Sequence, residues 1–171
     1  VDLGAPSLTT WSCQIAYRIV DGSEPASYTF ATPTPPAVIP TEIAILCYTG
    51  VNQAVPVEDT TGTASPARQT SMTFLSVDAF TDNDLIVAFQ MDEEQTATSP
   101  AGYTPDYAGA LIRVSSAVKA SAGGETPGAT ALPAVDTWGT RAFSLKAQAQ
   151  IITGDQDTFP TEDTTAATTS G

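Results

Sequence analysis

The feature that most restricts this chain is a period-two alternation of apolar residues, recurring in short runs with no convincing amphipathic helix between them. Trp11, Cys13, Ile15, Tyr17 and Ile19 fall on one side of an extended chain, and Ser12, Gln14, Ala16, Arg18 and Val20 on the other. Leu85, Val87, Phe89 and Met91 alternate against Asp84, Ile86, Ala88 and Gln90, and Phe143, Leu145, Ala147, Ala149 and Ile151 against Ser144, Lys146, Gln148 and Gln150. Such a chain buries its apolar surface through strands stacked in sheets.

Turn residues divide the runs. Asp21-Gly22-Ser23-Glu24-Pro25 predicts a tight turn joining the first strand to a second around Tyr28 and Phe30. Pro33, Pro35 and Pro36 form a stiff connector. Residues 41–49 carry Ile43, Ile45 and Cys47 on one face and Ala44, Leu46 and Tyr48 on the other, which predicts a central strand buried on both sides. Residues 56–68, broken by Gly62 and Pro66, read as a polar loop. A strand over 70–77, a turn over 78–84 and the Leu85 strand predict a second hairpin. Residues 108–120 are ambiguous between strand and short helix; Ile112, Val114 and the flanking glycines favour a strand over 108–115. A glycine- and proline-rich loop then leads to Trp138 and the last strand.

At 171 residues the chain is the size of one ordinary domain. The reading is an N-terminal arm over 1–10, a β-sandwich over 11–152 and an acidic, threonine-rich tail over 153–171. The expected fold class is all-β: an antiparallel, jelly-roll-like β-sandwich with extended terminal arms. Its core is drawn from Trp11, Ile15, Tyr17, Phe30, Ile43, Ile45, Phe74, Leu85, Val87, Phe89, Leu111, Trp138, Phe143 and Leu145. Both termini, unable to fold alone, are expected to pack on other subunits or another protein. A start at Val1 rather than methionine implies processing or excision from something longer.

Nineteen acidic residues against six basic ones give a net charge of −13, and the basic residues are scattered, so nucleic acid is not an expected partner. Such an acidic, lysine-poor surface suits salty water. No apolar run approaches the roughly 20 residues of a membrane helix. The chain has no histidine, which excludes Ser-His-Asp and Cys-His nucleophilic centres and the usual zinc sites. Its two cysteines, Cys13 and Cys47, sit on apolar strand faces and read either as a disulfide or as two buried thiols.

Carboxylates remain for chemistry. Asp92, Glu93 and Glu94 at a strand end, with Asp78, Asp82 and Asp84 on the neighbouring turn, are candidates for a glycosidase pair or for calcium, which takes six to eight oxygen ligands. A solvated loop edge is the plainer reading, and no cofactor is expected. Tyr103 and Tyr107, in the loop TSPAGYTPDYAG, are candidates for a sugar-stacking contact.

The succession WSCQIAYRIVDGSEPASYTF (Trp11 to Phe30), AILCYTGV with Pro56 beyond it, LIVAF (Leu85 to Phe89) and SPAGYT (Ser99 to Thr104) resembles β-sandwich modules of bacteriophage virion proteins of tail-fibre, tailspike or capsid-surface type. The resemblance implies a non-enzymatic structural subunit at a virion surface, working by assembly with copies of itself and neighbouring virion proteins, and by host attachment. The alternatives are a carbohydrate-binding or adhesin module of a larger secreted protein, and a glycan-cleaving domain using the acids above.

Overall fold

The computed structural model describes residues 2–4, 13–29, 42–92 and 97–148. They form nine strands and no helix: β1 (Asp2–Gly4), β2 (Ile15–Ala16), β3 (Val57–Met72), β4 (Val77–Ala79), β5 (Asp84–Asp92), β6 (Thr104–Ala108), β7 (Ile112–Lys119), β8 (Gly123–Glu125) and β9 (Thr130–Leu145). Five build one antiparallel sheet in the order β3-β9-β5-β7-β6, and two small pairs, β1-β2 and β4-β8, complete the ladders. The protein is all-β, antiparallel and sandwich-like.

β5 is the strand everything else packs on. Its residues Ile86, Val87, Ala88 and Phe89 are buried in succession, which demands cover on both faces of the sheet. On one face Val87 and Phe89 join Ile112, Val114, Phe143, Leu145 and Leu3, with Cys13, Ile15, Tyr17, Leu46 and Tyr48 laid over them. On the other, Ile86, Ala88 and Ala142 meet Phe74, Val77 and Ala79 around β4. A third cluster of Met72, Ala97, Leu132 and Trp138 extends the core towards the far end of β9.

The expected core is met at Phe74, Val87, Phe89, Trp138, Phe143 and Leu145, and in part at Ile15, Tyr17, Leu85 and Leu111. Trp11 and Phe30 lie outside the described residues. Ile43 and Ile45 correct the reading: they are 48% and 68% exposed. The segment 42–49 is not a central strand but an extended chain without a ladder, laid on the outer face with Leu46 and Tyr48 inward. The central slot belongs to β5, whose backbone is already paired on both sides by β7 and β9.

Both expected hairpins give way to longer-range pairing. β2 pairs with β1 rather than with the stretch around Tyr28, so this part of the N-terminal arm docks on its own domain. After Met72 the chain leaves the sheet, and β4 pairs with β8 instead of joining β5. The loop expected over 56–68 is most of β3, a sixteen-residue edge strand paired along β9. Its threonines suit a strand, and the register break between Ser65 and Gln69 accommodates Pro66, which an edge tolerates. The strand expected over 108–115 runs instead over 112–119, and residues 109–111 form the turn that separates it from β6.

Candidate functional site

Three strand ends converge at one pole of the sheet. Leu145 of β9 lies between Val57 of β3 and Leu85 of β5, so the adjoining Lys146, Glu58 and Asp84 come together. Lys146 Nζ donates to Glu58 Oε1 at 2.6 Å, and Glu58 Oε2 accepts the Phe80 N–H at 2.9 Å. The Glu58 side chain is only 4% exposed, against 29% for Lys146. Asp84 is fully buried and accepts Thr81 Oγ1 at 2.5 Å, the Thr81 N–H at 3.1 Å and the Ala147 N–H at 2.9 Å. Burial raises the Asp84 carboxyl, but hydrogen bonds from Thr81, Ala147 and Glu58 outweigh it and hold the group below the usual carboxylate range.

Beside this triad opens a cavity of about 590 Å³ lined by Asn52, Thr81, Asp82, Asn83, Lys146 and Gln148, among others. Asn83 stands in the left-handed region at φ 66°, a conformation asparagine tolerates and which turns the chain into β5.

Among the described residues, the acids singled out from sequence do not assemble. Asp78 is exposed and its N–H donates to Asp59 Oδ2 at 2.8 Å; Asp82 is exposed and accepts the Ala122 N–H at 2.9 Å. Asp84 and Asp92 terminate opposite ends of β5, about 27 Å apart at the rise of an extended strand. Both are buried, Asp92 accepting the Ala97 N–H at 3.2 Å, so neither belongs to a solvated edge. Glu93 and Glu94 lie outside the described residues. Among the described residues no group of three or more acids or cysteines is placed to hold a metal ion.

Tyr103 and Tyr107 are likewise separated. Tyr103 packs with the Ile86–Phe74 cluster and Tyr107 with the Val87–Phe89 cluster, on opposite faces of the sheet, so they cannot form one stacking platform. Tyr103 Oη donates to Glu125 at 3.5 Å, and burial followed by that carboxylate pushes its pKa upward. Tyr107 Oη donates to Glu42 Oε1 at 2.6 Å, which raises its pKa in the same direction. Both hydroxyls hold the protein's own loops in place.

Cys13 and Cys47 are free thiols, Cys13 half-buried and Cys47 exposed, so Cys47 departs from both sequence readings. The sequence reading also missed Glu42, Glu58 and Lys146. Glu58 and Lys146 are 88 residues apart and belong to no motif; only the β3-β9 register brings them together.

The fold and this pole define an acidic, antiparallel β-sandwich module with a charged triad at one end. The chain matches no family model, and no curated protein or solved structure matches it either.

Proposed function

We propose that this chain is a structural subunit displayed on a phage or related virus particle, as a capsid decoration, head-fibre or tail-fibre component, acting by docking rather than by turnover. The likeness of Trp11 to Phe30 and its companion segments to virion modules supports the setting. The observation that carries the docking is the outer layer. Its extended segments turn Cys13, Ile15, Tyr17, Leu46 and Tyr48 onto the sheet and leave Ile43, Ile45 and Val20 outward at 48%, 68% and 57% exposure. Apolar residues held outward on unladdered backbone offer both side chains and hydrogen-bonding groups to a neighbouring chain. The neighbours are copies of this chain or adjoining virion proteins, at the particle surface and outside the cell. Mass photometry of the native assembly tests this: a symmetric multi-copy particle supports it, and a monomer at all concentrations counts against it.

A carbohydrate-binding module is the second reading, favoured by the cavity beside Lys146, whose Asn83, Asp82 and Gln148 side chains are of the kind that hydrogen-bond sugar hydroxyls. A glycan array separates the two: selective binding lost in Asn83→Ala and Gln148→Ala supports this reading over the first.

A further inference from the structure

We propose that the folded chain joins Lys146 to Glu58 by an intramolecular amide bond between Lys146 Nζ and Glu58 Cδ, with Asp84 moving the protons. The three components of such a condensation are in place. The nucleophile lies 2.6 Å from one oxygen of the carboxyl it attacks, a contact that holds the amine and the carboxyl together before the N–Cδ bond forms. The other oxygen, Glu58 Oε2, already accepts the Phe80 N–H at 2.9 Å, a fixed backbone donor aimed where negative charge develops when the carbonyl is attacked.

The third component is the second carboxyl. The Asp84 and Glu58 carboxyls lie within hydrogen-bonding reach of each other. Thr81 and the Ala147 N–H stabilise the anionic form of Asp84, which fits it to accept a proton and hand it on. Glu58 becomes the neutral acid that an amine attacks once the Lys146 proton crosses the 2.6 Å contact between them, and its near-complete burial limits competition from solvent.

The step balances without oxidant or reductant. The Lys146 ammonium passes a proton to the Glu58 carboxylate across their 2.6 Å contact, and the freed amine forms the N–Cδ bond. Asp84 takes a second nitrogen proton and hands it to the departing hydroxyl, so the tetrahedral adduct breaks a Cδ–O bond and releases water. One ammonium and one carboxylate become one secondary amide and one water. The product ties the first turn of the edge strand β3 to the end of β9, closing a loop across 88 residues and resisting forced separation of the two strands.

Intact mass spectrometry of the full, folded chain tests the proposal. The chain should be about 18 Da lighter than its sequence mass, the loss of one water on amide formation. Proteolysis should then yield one branched peptide containing both Glu58 and Lys146. Lys146→Arg should restore the full mass, and Asp84→Asn should slow the loss at least tenfold. Asp21-Gly22 can also lose water by closing a succinimide, but that loss persists in Lys146→Arg and is opened by hydroxylamine, whereas the amide survives it. A cooperatively folded wild-type chain at full mass, with Glu58 and Lys146 in separate peptides, overturns the proposal, and this measurement does not depend on any variant folding.

Discussion

The carboxylate of Glu42 fills the space that a side chain at residue 109 would need: a Cβ added to Gly109 would land on Glu42 Oε1. From there Glu42 receives the N–H groups of Ala110, Leu111 and Ile112 at 3.1, 2.6 and 3.0 Å, together with Tyr107 Oη. One side chain thereby caps the turn between β6 and β7 and pins the start of the outer segment 42–49 to the sheet. Gly109→Ala should evict it and destabilise the fold by about 1–3 kcal/mol, the usual cost of stranding groups hydrogen-bonded to a charge. Urea unfolding measures this, and an unchanged midpoint would show the anchor to be dispensable.

The same anchor makes stability depend on pH. Partial burial raises the Glu42 carboxyl, but its bonds to Tyr107 and the three backbone N–H groups prevail and hold its pKa below 4.5. A carboxyl depressed in the folded state contributes fully above its unfolded pKa, and the contribution is lost as pH falls through the folded value. Thermal unfolding from pH 6 down to pH 3 should therefore fall less steeply in Glu42→Gln than in wild type.

Inward and outward apolar residues should differ sharply. Phe89→Ala should cost roughly 3–5 kcal/mol because its buried ring packs within the main cluster. Ile45→Ala should stay within about 0.5 kcal/mol, as surface changes usually do. Equal losses in chemical denaturation would contradict the assignment of Ile45 to the outside.

Ile45→Lys tests docking without disturbing the core. The expected result is an unchanged melting temperature with loss of assembly by mass photometry; retention of the same particle would remove Ile45 from the interface.

The two thiols should be chemically unequal. Burial pushes Cys13 up to about 11, leaving little thiolate near neutrality, whereas Cys47 is exposed. Iodoacetamide at pH 8 should label Cys47 first and Cys13 only on unfolding, read by peptide mass spectrometry. Simultaneous labelling of the native chain would contradict this placement.

Much of the architecture was legible because a strand writes its period directly into sequence. The runs around Val87 and Phe143, and the glycine-flanked Ile112 and Val114, were enough to define an all-β chain and most of its core. Residues 42–49 misled because an apolar two-sided segment looks the same whether it lies centrally or is only half covered. The threonine-rich stretch 57–68 misled in the opposite direction, since Gly62 and Pro66 signal a loop unless an edge and a bulge receive them.

Sequence alone determined strand-forming periodicity, the acidic surface and the absence of histidine, because these are properties of single residues and near neighbours. Only tertiary structure decided which strands pair, which face of 42–49 is covered, and that Glu58, Asp84 and Lys146 meet. Those outcomes depend on competition among distant segments for the two faces and the open hydrogen bonds of one sheet. No local stretch of sequence records the result of that competition.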